Sequence, residues 1–254
     1  GTCWAFGAVG SLESNALLQG VSDPDYSEKS LVWFSQQELK DRDAPDDTLE
    51  GPSVSGGDLK QAVYNMGGTS LDVIAALASW QGASDEEQVP YRNAEGTTAT
   101  IQMPEGKWAE YCTEDGDWSV DAVHAYDDAY RMDSVVEYIG YWYYDMMEFS
   151  TQEAIAEVIG TVVPQVKTWI MENGAMSLSF CSDESSPDDM EQEVSSEYYN
   201  EETYAQYNPD GMTPNHTVTV VGWDDNYPAE NFSITPPGDG PWYAPYDQVA
   251  QNHG

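Results

Sequence analysis

The sequence contains 254 residues, with 46 Asp plus Glu against 8 Lys plus Arg and a formal net charge of −38. This charge excludes nucleic acid as a partner, because phosphates are bound through Lys and Arg, and it disfavours anionic membrane surfaces. No apolar run approaches the roughly 18 residues that span a bilayer, so no membrane insertion is expected. Apolar residues make up 40% of the chain, enough for a sizeable core in one large domain or two subdomains.

The excess of carboxylates has two explanations, and both stay open. The first is an ordinary acidic secreted protein. The second is a protein that works in concentrated salt, because repulsion among so many negative charges destabilises a compact chain until salt screens it. No stretch matches the twelve-residue calcium loop, so neither a metal nor a cofactor is expected.

The first part of the chain is predicted to be helical. Residues 1–20 should form a buried helix, since apolar side chains recur near helical spacing and Gly20 suits the left-handed position that ends many helices. These apolar side chains are Phe6, Val9, Leu12 and Leu17. Further helices are predicted over residues 35–40, 58–65 and 70–80, with acidic, proline-containing loops between them.

After about residue 118 the sequence becomes strand-like. Strands are predicted over residues 119–126, 175–180 and 217–223, and the last of these is rich in β-branched side chains. The chain should therefore have an α+β fold, with a helical part over residues 1–118 and a β-rich part over residues 119–254.

Two helices are predicted inside the β-rich part. Ser150 and Glu153 have the spacing of a capping box, which would open a helix that ends near Gly160. Pro164 can then occupy the first turn of a second helix, because its missing N–H is not needed there. Gly174 is the expected end of that second helix.

Cysteine and histidine supply the candidate chemistry. Cys3 stands at the start of the first predicted helix, where free backbone N–H groups and the helix dipole favour a thiolate, the form that attacks a carbonyl carbon. The alternative is a small buried thiol without a chemical role. His216 enters a hydrophobic strand that would hold its ring rigidly, whereas His124 and His253 are expected to be structural or exposed.

Cys112 and Cys181 complete the set of three cysteines. One disulfide between them would suit an extracellular setting, but two cysteines are thin support for it. A pair of free thiols is the alternative, and both stay open.

Several motifs resemble those of one enzyme family. Residues 1–6 (GTCWAF), followed by Glu13, closely resemble the active-site helix of the papain-like cysteine peptidases. In chain order, residues 55–57 (SGG) resemble the Gly-Gly of the substrate groove, and residues 89–91 (VPY) resemble a Tyr-Pro-Tyr element. Residues 215–218 (NHTV) are similar to the segment that supplies the catalytic histidine. The resemblance covers nearly the whole chain, with the bacterial and archaeal secreted or surface branch as its closest form.

The resemblance implies a two-subdomain fold, with the active-site cleft between a helical half and an antiparallel β-barrel-like half. It also implies an endopeptidase that hydrolyses protein or peptide substrates through an acyl-enzyme and is secreted or attached to the cell surface. The alternative is a catalytically inactive module that binds peptides or surface proteins in the same groove. The oligomeric state is not implied.

The family's catalytic roles can be carried over to three positions. The resemblance assigns the nucleophile to Cys3 and the base to His216, which are 216 − 3 = 213 positions apart. The family usually separates them by about 130 to 150 residues, so insertions are expected before His216. The third member would be Asn252, which lies six residues beyond the position expected from the family's spacing.

The substrate groove of the family is matched by three residues, Gly56, Gly57 and Asn215. The first two would pair with an extended substrate through their backbone groups, and the Asn215 carbonyl would assist them. The family's oxyanion-stabilising glutamine stands six residues before the nucleophile, whereas only two residues precede Cys3 here. The sequence is therefore expected to be a piece trimmed at both ends.

Overall fold

The structure is a computed structural model that describes residues 1–36, 63–64, 67–81, 83–102, 108–112, 116–127, 131–138, 152–180, 182, 197–208 and 214–234. The chain divides into two compact units, Gly1–Val135 and Val136–Gly254. Helices occur in both units, and each unit contains a two-stranded antiparallel sheet. The α+β class is therefore confirmed. The barrel and the boundary after residue 118 stay predictions.

The described elements follow one another in a simple order. The first unit contains α1 (Cys3–Leu18), α2 (Glu28–Ser35), α3 (Ser70–Ala78), β1 (Thr98–Gln102), β2 (Trp108–Cys112) and a 3-10 helix (Ala122–Tyr126). The second unit contains α4 (Gln152–Asn173), β3 (Met176–Phe180), β4 (His216–Val220) and a 3-10 turn (Ala229–Asn231).

Helix α1 confirms the first prediction, including its end. Gly20 has a φ of +89°, and its N–H donates to the Leu17 carbonyl at 3.0 Å. The buried side of α1 differs from the predicted apolar face, because Val9 is buried while Phe6 and Leu17 are 43% and 56% exposed. Trp4 and several small residues provide the rest of the buried side, and small residues do not stand out in an apolar pattern.

Helix α2 (Glu28–Ser35) overlaps the helix predicted over residues 35–40 only at Ser35. Gln36 follows the end of α2, and residues 37–40 lie outside the described part, so the rest of that helix stays a prediction. The Ser27 side chain caps α2 by accepting from the Ser30 N–H at 3.0 Å. Leu31 is buried against the core of the first unit. The cap and the buried side chains together fix the helix at this position.

Two further predictions for the first unit have different outcomes. Helix α3 confirms the prediction over residues 70–80, and of the predicted helix over residues 58–65 only residues 63–64 are described, both helical. The strand predicted over residues 119–126 is wrong, because Ala122–Tyr126 is a 3-10 helix. The Asp121 carboxylate accepts from the Val123 N–H at 3.0 Å and starts this turn.

In the second unit one long helix replaces the two that were predicted. Helix α4 is continuous, with Pro164 inside it. Pro164 lacks one backbone donor, but its carbonyl accepts from the Thr168 hydroxyl at 2.9 Å. Gly174, with a φ of +94°, follows the helix end as predicted. Strands β3 and β4, which confirm two predicted strands, pair antiparallel with Phe180 opposite His216.

Cations in the described part of the chain lie over tryptophan rings in three places. The distances from cation to ring centroid are 5.6 Å for Lys29 over Trp118, 4.7 Å for Arg131 over Trp80 and 5.5 Å for Lys167 over Trp223. At these distances the negative face of each ring attracts the cation.

Carboxylates come close to one another around the start of α2. Burial, and then the nearby charges of Glu86, Glu13 and Asp25, raise the pKa of Glu28 to about 7. Burial also raises the pKa values of Glu13 and Glu86 above their ordinary value. Each of these two carboxylates accepts a backbone hydrogen bond. Glu13 accepts from the Tyr26 N–H at 2.8 Å, and Glu86 accepts from the Tyr91 N–H at 2.7 Å. The cluster therefore favours a proton on Glu28 near neutral pH.

Replacing this residue, Glu28→Gln, is expected to flatten the dependence of stability on pH. The folded chain holds a proton on Glu28 up to about pH 7, whereas the unfolded chain releases it near 4.5. The free energy of unfolding therefore falls as the pH rises through this window. After allowing for solvent screening, the unmodified chain should lose about 1 to 2 kcal/mol of its free energy of unfolding as the pH rises through this window. Denaturant titrations between pH 4 and pH 8 measure it.

The exposed Glu230 provides the control, as Glu230→Gln should keep the pH dependence of the unmodified chain. We expect Glu28→Gln to be more stable than the unmodified chain at pH 8 and nearly equal to it at pH 4. Equal pH dependence in the unmodified chain and in Glu28→Gln would contradict the expectation.

Candidate active site

Cys3 is the first residue of α1 and is partly buried. The carbonyl of Thr2, the residue before it, accepts from the N–H groups of Ala5 at 2.9 Å and Phe6 at 3.3 Å. The thiol therefore stands where the prediction placed it, at the positive end of a helix dipole.

The backbone on both sides of Cys3 is tied to the core. Trp4 is 1% exposed, and its indole N–H donates to the Gly1 carbonyl at 3.1 Å. The Gly1 nitrogen donates to the Tyr64 carbonyl at 3.0 Å. A Cβ at Gly68 would lie 2.4 Å from Trp4 Cε2, so only glycine fits against this ring. These contacts hold the backbone of Cys3 in place without touching its sulfur.

A tyrosine packs beside the start of the helix. The Tyr91 hydroxyl lies 2.7 Å from the Thr2 hydroxyl. Its ring makes edge contacts with Phe6, Trp118 and Tyr64, with centroids 5.0, 5.4 and 6.2 Å apart. Tyr91 belongs to residues 89–91, which resemble the Tyr-Pro-Tyr element of the family, and the sequence predicts no role for it. The hydrogen bond to Thr2 depends on residues 89 positions apart, which no local pattern reveals.

His216 opens strand β4 and is partly exposed. Its ring meets Phe180 of β3 edge to face at a centroid distance of 5.7 Å. Thr217 beside it is buried, and its hydroxyl lies 3.0 Å from that of Ser179 across the strand pair. The strand therefore restrains the imidazole on the backbone side, as predicted, and leaves part of the ring accessible.

Asn215 uses its side chain to close the end of this strand pair. Its backbone N–H donates to the Phe180 carbonyl at 3.1 Å. The side-chain amide donates to the Ser182 carbonyl at 2.9 Å and accepts from the Ser182 N–H at 2.7 Å. These bonds use the side-chain amide and the backbone N–H of Asn215, so a role for its backbone carbonyl at a substrate stays a prediction. The role of Ser182 was not foreseen.

Two of the predicted site residues lie in different units, and three lie outside the described residues. Cys3 belongs to the first unit and His216 to the second, so each is described within its own unit. Gly56, Gly57 and Asn252 lie outside the described residues. The pairing of the two catalytic side chains and the role of these three residues stay predictions.

The other cysteine and histidine of the first unit have structural contacts. Cys112 is a free thiol whose sulfur accepts from the Asn93 N–H at 3.1 Å, so the structure does not contain the disulfide considered for Cys112. Its suggested partner Cys181 lies outside the described residues. His124 Nδ1, in the 3-10 helix, lies 2.8 Å from Oδ2 of Asp127, the residue that follows this helix, a contact typical of a structural histidine.

Metal ligation and membrane insertion were also considered. Within the part of the chain that the structure describes, no group of three or more His, Cys, Asp or Glu side chains could hold a metal ion. Among those same residues, no helix combines the length and apolar character needed to cross a membrane.

A family model described as papain family cysteine protease matches residues 1–235. This match spans both Cys3 and His216. No curated protein and no solved structure shows significant similarity to the chain.

Proposed function

Because the chain belongs to the papain family of cysteine proteases, we propose that it is an active endopeptidase in which Cys3 is the nucleophile and His216 the base. The family supports a peptidase role with protein substrates. The observation that carries the finer proposal is the position of Cys3, partly accessible at the first turn of α1, with the residues on both sides tied to the core.

In the proposed reaction the Cys3 thiolate attacks the scissile carbonyl carbon. A carbon–sulfur bond forms, and the π electrons of the carbonyl move to its oxygen, where the Cys3 N–H can donate to the new negative charge. When the carbonyl re-forms, the carbon–nitrogen bond breaks and the His216 imidazolium gives its proton to the leaving amine. His216 then takes a proton from water, whose oxygen attacks the thioester. The carbon–sulfur bond breaks and releases the acid and the thiolate.

The other parts of the proposal concern the orientation of the His216 ring and the placement of the substrate. Asn252 would orient the His216 ring, since a catalytic imidazole needs a partner on its second nitrogen. The backbone groups of Gly56 and Gly57, and the Asn215 carbonyl, would pair with an extended peptide in a cleft between the helical half and the barrel-like half. We place this activity outside the cell or at its surface. No cofactor enters any step.

Selective alkylation tests the nucleophile. Near pH 6, iodoacetamide should label Cys3 about tenfold faster than Cys112 or Cys181, because the helix dipole and an imidazole favour the thiolate. Peptide mapping by mass spectrometry after timed labelling measures the three rates. Labelling should also abolish hydrolysis of a fluorogenic peptide in step with the modification of Cys3.

The Cys3→Ala variant is the matched control, since it keeps the helix start and removes only the sulfur. It should show no hydrolysis and should still bind peptide. Equal labelling of the three cysteines in folded protein, or peptide binding without any hydrolysis by the unmodified chain, would instead support the inactive binding module.

A further inference from the structure

An open groove lies along α4 in the second unit. Its volume is about 380 Å³, within the range of volumes typical of small-ligand sites. It is lined by one tyrosine that precedes the helix and by five residues of α4, which are Tyr138, Pro164, Gln165, Thr168, Trp169 and Glu172. The groove is therefore built mainly on a single helix.

The five α4 residues of the groove share one face of the helix. Successive residues of an α-helix are turned by about 100°, which brings the five within about 140° of one another. Lys167, the only basic residue of α4, lies outside this arc. Its ammonium group pairs with Asp225 and lies 5.5 Å from the centroid of the Trp223 ring. The cation of this helix is therefore engaged on another face.

The groove combines two aromatic rings with a carboxylate. Tyr138 and Trp169 are half-buried, and Glu172 is exposed. Among the described residues, no cation lies over the Trp169 ring and none pairs with Glu172. No Lys, Arg or His is among the described residues that line the groove. Because the face of an aromatic ring and a carboxylate both attract a cation, the lining is complementary to a cationic group from another molecule.

Other tryptophan rings of this chain already hold cations. The Arg131 guanidinium lies 4.7 Å from the centroid of the Trp80 ring, and two further rings hold lysines at 5.5 and 5.6 Å. The net charge of −38 adds a long-range attraction for any cationic segment that approaches. Arginine suits the groove best, since its planar guanidinium can stack on a ring and still pair with a carboxylate.

We propose that this groove binds an arginine side chain of a protein or peptide, with the guanidinium against the Trp169 ring and paired with the Glu172 carboxylate. The Tyr138 ring contacts the methylene groups of the same side chain. Lysine fits less well, because its ammonium group is more strongly hydrated and does not stack. The inference goes beyond the proposed function, since the segment held in the groove need not be the segment that is cleaved.

Acetyl-arginine N-methylamide tests the groove, because it contains the side chain between two peptide groups. Its binding to the unmodified chain is followed through the indole N–H resonance of Trp169, which is assigned by its loss in Trp169→Phe. We expect a saturable shift of this resonance. The citrulline analogue, which has nearly the same shape and no charge, should bind about tenfold more weakly. The lysine analogue should bind about threefold more weakly than the arginine compound.

Two variants of equal net charge separate the groove from general attraction. Glu172→Gln and Glu230→Gln each remove one exposed carboxylate of the second unit, so each has a formal charge of −38 + 1 = −37. Glu172→Gln should weaken the binding of the arginine compound about threefold. Glu230→Gln should leave the affinity unchanged, because Glu230 does not line the groove.

Three results would each overturn the inference. They are an unmoved Trp169 resonance, equal affinities for the arginine and citrulline compounds, and equal losses in the two variants. Equal affinity for the lysine compound would overturn the choice of arginine. The measurements need no hydrolysis, so a chain that binds arginine in this way and cleaves no peptide would remove only the proposed function. An active peptidase with a silent groove would remove only this inference.

Discussion

Replacing His216 by alanine should lower kcat/KM for a fluorogenic peptide by about a thousandfold or more. In the proposed mechanism the imidazole protonates the leaving amine and works together with the thiol, and such groups act as one unit. The loss should be mainly in kcat, because the proposed role of His216 is in proton transfer and not in substrate binding. The unmodified chain should also show a bell-shaped pH profile that the variant lacks.

His124 provides the matched control for this experiment. Its ring contacts Asp127 at the end of the 3-10 helix of the first unit, so His124→Ala should keep kcat/KM within about threefold of the unmodified chain. Thermal unfolding of both variants checks that each is folded. Comparable losses in the two variants, or full activity in His216→Ala, would contradict the assignment of the base.

The second large effect is that of salt on stability. With 46 carboxylates and 8 cationic side chains, most negative charges have no positive partner, and their repulsion opposes folding. Raising the salt from 0.1 M to 1 M shortens the screening length from about 10 Å to about 3 Å. We expect a gain of several kcal/mol, or about 10 °C in Tm for a chain of this size. Calorimetry in sodium and potassium chloride measures it.

Comparison with calcium separates screening from specific binding. Sodium and potassium chloride should behave alike at equal concentration, because screening depends on ionic strength and not on the identity of the cation. If millimolar calcium alone produced the whole increase and molar sodium chloride produced none, specific ion sites would replace screening as the explanation. The interpretation as a protein of concentrated salt would then lose its main support.

The parts of the fold that the sequence predicted are those with local signals. Helix α1 ends at a glycine in the left-handed region, and β4 is rich in β-branched side chains. The strand predicted over residues 119–126 is wrong, because the Asp121 carboxylate accepts from the Val123 N–H and starts a tight turn there. Pro164 was expected in the first turn of a second helix, but it lies inside α4. A proline inside a helix costs one hydrogen bond and does not end α4 here.

In the candidate site, too, only the features with a local sequence signal could be predicted. Cys3 and His216 could be proposed from the sequence because short motifs surround them, and their catalytic roles stay predictions. The contacts of Tyr91 with Thr2 and the burial of Glu28 beside other carboxylates could not be predicted. These features join segments that are tens of residues apart, and only the folded chain places them side by side.

The cations that lie over tryptophan rings affect how the protein responds to salt. Attraction between a cation and a ring acts at contact distance, as for Lys29 over Trp118 at 5.6 Å, and close contacts are screened less than charges separated by several ångströms of water. Added salt therefore weakens the repulsion among carboxylates while these attractions persist. Three of the few cations in this chain, Lys29, Arg131 and Lys167, make such contacts with tryptophan rings. These contacts should therefore persist in concentrated salt.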